Sequence, residues 1–487
     1  MDAMALYQKW LTDFASDAET VADLTAIKDN PAEIEDRFYR ELEFGTAGMR
    51  GVLGAGTNRL NIYNVRRVTR ALAKYILSTP DGAEKGVAIA YDSRNKSDVF
   101  AKEAALTLCA AGVKAFLFES LRPVPVLSFT VRHLKCIAGI VITASHNPGE
   151  WNGFKLCRAN AVPISGSTGI MDIQKIVENR SWKECGKPGR ITTYDIRPEY
   201  AAFLRRFAKM DRKLKVVVDY ANAMGLYEIG GITDLFDIVP LYDTLDGTFP
   251  NHEANPLHLA TLDAIRAKVV EAGADFGAAF DGDADRCGFI DDKGEIIPMD
   301  LFTALIAQDI LSDGPATILY DLRSSRAVPE CIRANGGKAI QSRVGHAFIK
   351  AQMRENDAVF AGELSGHYYF KENFTAECQG LALIKLANLV CKKGKPVSEL
   401  VAPLRKYFSS GEINSTVADV KPVLDAIRKK YADGNMYELD GISSEYPNWW
   451  FNVRSSNTEP LLRLIVEADS EALMEEKRDE LLKLIRG

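Results

Sequence analysis

Asp281, Asp283 and Asp285 stand two residues apart in the stretch Asp281-Gly-Asp-Ala-Asp-Arg286. In an extended segment, that spacing puts three carboxylates on one side of the chain. Three such charges cannot gather cheaply without a cation. Hard oxygen ligands among small residues suit Mg²⁺. An EF-hand loop is excluded: its sixth position needs glycine and holds Arg286, and its twelfth is Asp292 rather than glutamate. The flanking runs, 276–280 and 287–290, read as strands. A solvated acidic turn is the plain alternative.

Three other loops carry reactive residue types. Thr143-Ala-Ser-His-Asn-Pro148 follows the apolar run 137–142, long enough for a buried strand. A serine just past such a strand sits where α/β folds place active sites. An ordinary Ser/Asn/Pro turn is the alternative. A serine hydrolase is disfavoured, because no G-x-S-x-G elbow surrounds Ser145. Arg454-Ser-Ser-Asn-Thr-Glu-Pro460, with Arg463 beyond it, combines guanidinium, hydroxyl, amide and backbone N–H donors suited to a phosphate. In Gly362-Glu-Leu-Ser-Gly-His367, Glu363 and Ser365 point the same way from an extended chain and suit sugar hydroxyls. A surface turn is the alternative for the first of these loops and a capped turn for the second.

Other chemistries fail on pattern. Gly54-Ala-Gly56 lacks the third glycine and the acidic partner of a dinucleotide fold. No P-loop sequence is present, and His133, His252 and His258 belong to no motif.

The elements that must position these loops read as repeated α/β units. Gly86-Val-Ala-Ile-Ala-Tyr-Asp-Ser-Arg94, Leu214-Lys-Val-Val-Val-Asp-Tyr-Ala-Asn222 and Ala316-Thr-Ile-Leu-Tyr-Asp-Leu-Arg-Ser-Ser325 are each a short apolar run ending in an acid. Each predicts a buried strand, a polar loop and a helix. The helix after the first is expected to run from a Ser97 cap to a stop at Gly112. Before these units, 5–14 and 32–42 read as helices, 44–56 as a glycine-rich loop and 65–77 as a helix. The last residues alternate strand-like runs (449–453 and 461–466) with helices (423–431 and 471–485), a smaller α+β domain. A linker is expected at 185–190. The expected domains are 1–187, 188–297, 298–408 and 409–487.

Composition narrows the class. Hydrophobic residues are 47% of the 487 and charged residues 26%, which excludes disordered and low-complexity chains. Sixty Lys and Arg face 66 Asp and Glu, a net charge of −6, which argues against a nucleic-acid partner. Any anionic ligand must be held by local cations. The eight cysteines are scattered without a CxxC pair, so buried free thiols are expected. No apolar run reaches the ~18 residues of a membrane span, and the first residues lack a signal-peptide pattern. A cytoplasmic protein without a membrane partner is expected.

Taken together, the four loops resemble those of the α-D-phosphohexomutase superfamily, and the likeness runs from Phe44 into the C-terminal domain. The resemblance implies three similar α/β domains and a smaller fourth, with one loop of each meeting in a central cleft. It implies that Ser145 carries a phosphoryl group, and that one Mg²⁺ per chain is held by Asp281, Asp283, Asp285 and Ser145. Arg50, His146, Lys155 and Arg286 would complete the electrostatic cradle, with Lys155 as general acid/base. The sugar would meet Glu363, Ser365, His367, Gly345, His346 and Arg323. Its phosphate would meet Arg454, Ser456, Asn457, Thr458 and Arg463. A bisphosphorylated sugar would form and turn over, with glucose 1,6-bisphosphate or a similar compound as activator.

The stretches 362–370 and 456–460 resemble the bifunctional phosphomannomutase/phosphoglucomutase branch. The glucosamine branch usually has Gln for Leu364 and Gly for Asn457. The stretch 41–51, with Tyr91-Asp-Ser-Arg94 and 121–129, resembles the branch of phosphopentomutases and larger phosphoglucomutases. The expectation is a mutase of mannose and glucose phosphates, monomeric or homodimeric. A phosphopentomutase and a phosphoglucosamine mutase are the alternatives. A metal-dependent sugar-phosphate phosphatase and a silent sensor stand behind them.

Overall fold

The computed structural model describes residues 2–43, 48–164, 171–179, 188–455 and 461–487. Residues 44–47 of the expected glycine-rich loop, residues 185–187 of the expected linker, and Ser456, Asn457 and Thr458 lie outside the described residues. The chain forms two compact units. One is Met1–Ile290 with Ala376–Asn388, and the other is Asp291–Thr375 with Leu389–Gly487.

The three acid-ended runs form the central strands of three alike sheets. In the first unit, Val87–Tyr91 lies between Ala115–Phe118 and Ala138–Ile142, parallel to both, and Trp151–Arg158 returns antiparallel to Ala138–Ile142. Lys215–Asp219 repeats the plan between Asp237–Leu241 and Phe276–Phe280, with Cys287–Ile290 antiparallel to the latter. In the second unit, Thr317–Asp321 lies between Lys338–Ser342 and Phe360–Gly362, with Tyr368–Phe370 antiparallel to the latter. Val, Ile, Leu and Ala dominate the central strands because both faces are covered by packed apolar residues. The acid closing each strand has a common task. Oδ1 of Asp92, Asp219 and Asp321 accepts the N–H two residues on, from Arg94 (3.0 Å), Ala221 (2.9 Å) and Arg323 (2.8 Å). That Asx turn bends the chain away from the strand end.

The first sheet is extended by Gly48–Val52 at one edge and Ile191–Tyr194 at the other. The edge strand corrects the expectation of a loop across 44–56. Its glycines serve close approach rather than irregularity. Gly48 has φ 146°, and a Cβ there would lie 1.9 Å from the Phe154 carbonyl oxygen. Arg50 pairs with Gly153 and Gly48 with Lys155, so strand alternation puts Arg50 and Lys155 on one face. Met49 and Phe154 turn to the other, into the first sheet's core.

The N-terminal helices are Ala3–Asp13, Ala18–Ala26 and Pro31–Phe38, capped by the side chains of Asp2, Asp17 and Asn30. The middle helix was not expected, and the third ends sooner than 42. They enclose Tyr7, Trp10, Leu24, Ile34 and Phe38. Asp23 pins the chain beyond the edge strand by accepting from the Ala55 N–H (2.7 Å). The later helix runs Ser97–Ala110, and Ser97 does not cap it. Its hydroxyl instead donates to Asp92 (2.6 Å).

The second unit ends in an antiparallel sheet. Its order is Phe408–Ser409, Leu461–Ala468, Trp449–Ser455, Ile442–Glu445 and Asn435–Tyr437, with Ile413–Thr416 also on Leu461–Ala468. Helices Val420–Lys430 and Glu471–Arg486 complete the expected α+β domain. Seven cysteines among the described residues are in no disulfide. No helix among those residues is long and apolar enough to cross a membrane.

Candidate active site

Three of the four reactive loops occupy one slot in the repeated topology. Each joins the strand after the crossover to its antiparallel return: 143–150, 281–286 and 363–367. The slot lies at the C-terminal end of a parallel strand, where α/β sheets leave room for ligands.

The first two loops meet within the first unit. Ser145 is 1% exposed and left-handed, at φ 54°. Its hydroxyl donates to Asp281 Oδ2 (3.1 Å) and lies 3.2 Å from His146 Nδ1. Thr143 ties the loops together, accepting from the Ser145 N–H (2.9 Å) and donating to Asp283 Oδ2 (3.1 Å). Lys155 Nζ reaches Asp283 (2.6 Å) and Asp285 (2.9 Å). Arg286 Nε stands 3.9 Å from Asp281 and 4.0 Å from Asp285. Arg50 donates to Asn147 Oδ1 (2.8 Å).

The acidic loop is not extended, as its spacing suggested. The Ala284 N–H donates to the Asp281 carbonyl and Ala284 is left-handed, so a turn rather than strand alternation gathers the carboxylates. Gly282 makes the turn fit. A Cβ there would lie 2.2 Å from the Ser145 carbonyl oxygen, a backbone atom with little freedom to yield. Gly282→Ala is therefore expected to part the two loops and lower kcat by about 10²-fold, since small misplacements of reacting groups cost that much. Steady-state kinetics beside a thermal melt check this; an unaltered kcat would mean the loops need not touch.

Charge and burial set this site's electrostatics. Burial, then Asp285 and Asp283, push Asp281 well above the usual carboxylate range. Burial opposes the Lys155 charge, but Asp283 and Asp285 outweigh it and raise its pKa. Burial, with Arg286 and Arg50 nearby, brings His146 down to about 2, so its ring is neutral. One ligand oxygen from each aspartate lies within 4.8 Å of the others. Asp283 Oδ1 is buried with no hydrogen-bond partner among the described residues. A buried oxygen left over in a crowded acidic site fits a hard divalent cation, which supplies the missing charge and the missing ligand contact.

Arg94 organises the serine loop and was not singled out from the sequence. Its guanidinium donates to the carbonyls of Ser145 (2.6 Å), Asn147 (2.6 Å), Pro148 (2.7 Å) and Trp151 (3.0 Å). Asp92 lies 3.3 Å away, and the Phe249 ring 4.9 Å from Arg94 Cζ. One planar donor fork thus satisfies four loop carbonyls at once. Its sequence signals were a cation following an acid-ended strand and its place in Tyr91-Asp-Ser-Arg94.

The second unit gathers the other set. The Gly366 N–H donates to the Glu363 carbonyl, so this loop too is a turn rather than extended. Ser365 Oγ donates to Glu363 Oε2 (3.0 Å) and lies 2.9 Å from His367 Nδ1, while Tyr369 donates to Glu363 Oε1. Arg323 grips Asp321 with Nε (3.2 Å) and Nη2 (2.7 Å) and stands 3.9 Å from Glu363. Arg454 and Arg463 face each other across paired strands. Glu412 lies among these cations: 2.6 Å from Arg454, 3.7 Å from Arg323 and 3.9 Å from Arg463. His346 opens helix His346–Glu355 and is half-buried, with Gly345 before it at φ 122°.

Four family models match this chain in order. They are the phosphoglucomutase/phosphomannomutase alpha/beta/alpha domains I (41–184), II (198–294) and III (298–407), and the C-terminal domain (412–484). The chain belongs to the phosphoglucomutase/phosphomannomutase family. It is a phosphohexomutase, an isomerase that transfers a phosphoryl group within a molecule. A phosphomannomutase of Methanocaldococcus jannaschii is 44% identical over 353 residues, 71% of this chain and 78% of that protein. A phosphomannomutase of Escherichia coli K12 is 34% identical over 458 residues, 91% and 98% of the two chains. The crystal structure of a Burkholderia thailandensis phosphoglucomutase/phosphomannomutase family protein superposes with a TM-score of 0.82 at 30% identity, covering 91% of this chain and 96% of that one.

Set in this phosphohexomutase, the residues read from sequence fall into two groups. The first unit gathers Ser145, His146, Lys155, Arg50, Arg286 and the three aspartates. The second gathers Arg323, Glu363, Ser365, His367, Arg454 and Arg463. Arg94 and Glu412 joined them only through contacts distant in sequence, and Thr143 through one to Asp283.

Proposed function

We propose that this phosphohexomutase interconverts the 1- and 6-phosphates of mannose and glucose. The observation that carries the reading is Ser145 Oγ, buried 3.1 Å from a carboxylate of the acidic triad. Ser145 bears the phosphoryl group. The free hydroxyl of a sugar monophosphate attacks phosphorus, the bond to Ser145 Oγ breaks, and a sugar bisphosphate forms. A proton leaves the attacking hydroxyl and one arrives at Ser145 Oγ, and Lys155 carries that exchange. Arg50, Arg286 and neutral His146 face the charge spread over the transferring group. The intermediate then turns over and returns its other phosphate to Ser145. Asp281, Asp283, Asp285 and phosphorylated Ser145 would hold one Mg²⁺, which would offset the phosphoryl charge. Glu363, Ser365 and His367, with Gly345, His346 and Arg323, address the sugar. Arg454 and Arg463, with Ser456, Asn457 and Thr458, address its phosphate.

Glucose and mannose differ only at C2, and a clamp on other hydroxyls need not distinguish them. The remaining proposals are four domains at 1–187, 188–297, 298–408 and 409–487, a cytoplasmic location, activation by glucose 1,6-bisphosphate, no nucleic-acid partner and a monomer or homodimer.

A phosphorus NMR time course tests the reading. The 1-phosphates of glucose, mannose, N-acetylglucosamine and ribose are mixed with enzyme, Mg²⁺ and a trace of glucose 1,6-bisphosphate. Glucose and mannose signals are expected to move to 6-phosphates without free phosphate. Faster loss of ribose 1-phosphate would make it a phosphopentomutase, and of the N-acetylglucosamine compound a glucosamine-branch enzyme. Accumulating inorganic phosphate would make it a phosphatase.

A further inference from the structure

Arg454 and Arg463 are direct cross-strand partners, an arrangement in which like charges repel. Arg323 does not add to the imbalance, because Asp321 already meets it with both oxygens. Glu412 is left against two guanidinium groups. It stands just before strand Ile413–Thr416, which pairs with the strand bearing Arg463. It reaches Arg454 Nη2 at 2.6 Å and Arg463 at 3.9 Å. Even so, Arg454 Nε and Arg463 Nε are buried with no hydrogen-bond partner among the described residues. Among the described residues, this one carboxylate supplies half the negative charge the two arginines call for and leaves two donors idle. A phosphate dianion matches both deficits, since it carries the second charge and enough oxygens for the idle N–H groups.

We propose that Glu412 is a built-in substitute for the substrate's phosphate: it keeps Arg454 and Arg463 paired while no phosphate is bound, and competes with the phosphate when one is. This rests on the reading that these arginines take the substrate phosphate. The consequence lies in release. A bisphosphate that must leave this position and re-seat by its other end strands two like charges as it goes, Arg454 buried and Arg463 half-buried. A carboxylate within reach lowers that cost, and in exchange weakens ground-state binding. Glu412 is thus a positioning residue that trades affinity for turnover.

Glu412→Gln removes the charge and keeps an oxygen for Arg454. The KM for glucose 1-phosphate is expected to fall about tenfold with kcat falling alongside it, and calorimetry should show inorganic phosphate binding about tenfold tighter. A KM that is unchanged or higher overturns the proposal. Glu412→Ala, checked for folding by a thermal melt, provides a second arm. Tighter phosphate binding again supports competition, whereas weaker binding assigns Glu412 a purely supporting role and overturns it. Arg454→Ala separates this from the functional reading. If that variant leaves KM unaltered, the arginines do not take the phosphate and the reading fails. If it raises KM while Glu412→Gln changes nothing, only the role of Glu412 falls.

Discussion

Ser145→Ala is expected to lose at least about 10⁴-fold in turnover while the fold and sugar-phosphate binding survive. Everything that shapes the loop at this position is backbone. The Ser145 N–H donates to Thr143, its carbonyl accepts from Arg94, and Gly282 packs against that carbonyl. Alanine keeps all three. It also has the same Cβ in the same left-handed backbone, so the substitution adds no new strain of that kind. What disappears is the oxygen 3.1 Å from Asp281. Three measurements check the result: a coupled turnover assay, calorimetric titration with glucose 1-phosphate, and mass spectrometry of the phosphorylated peptide. Wild-type turnover, or phosphate found on another residue, would remove Ser145 from the reaction.

Arg94→Met should be the most damaging change outside the reacting groups. Arg94 is 3% exposed, and its loss strips four carbonyls of a donor and leaves Asp92 as a buried charge without its cation. Breaking one partner from a buried pair typically costs about 3–5 kcal/mol. Burial already raises the Asp92 pKa against the pull of Arg94, and without that arginine the raising is unopposed by its nearest cation. A lower melting temperature is expected together with a fall of about 10²-fold or more in kcat, because the serine is no longer held in line. Arg94→Lys should rescue little, since a point charge cannot reach carbonyls spread around a planar fork. A methionine variant that melts and turns over like the wild type would show that the loop holds itself.

These two residues also mark what was legible in the sequence. The gathering of Ser145 and the aspartates could be read because reactive residue types stand within a few positions of one another in each loop. The three central strands could be read because burial on both faces leaves an uninterrupted apolar run. Arg94 could not, since its four acceptors lie 51 to 57 positions away and only folding brings them within reach. Glu412 was hidden for the same reason, 42 positions from Arg454. The strand Gly48–Val52 was obscured by glycines, which composition associates with loops and which here admit a neighbouring backbone. The two acidic turns were read as extended because residue spacing alone does not show a left-handed residue such as Ala284.

The three reactive hairpins share a slot but no residue pattern, and they are divided between two bodies. Ser145 and the acidic loop, read as carrying the phosphoryl transfer, belong to the first unit, and the groups read as recognising sugar and phosphate belong to the second. On that reading, mutational drift in the second would retune which sugar is accepted while the residues assigned to phosphoryl transfer are inherited untouched. A lineage built this way can explore new substrates without passing through a form that has lost its chemistry.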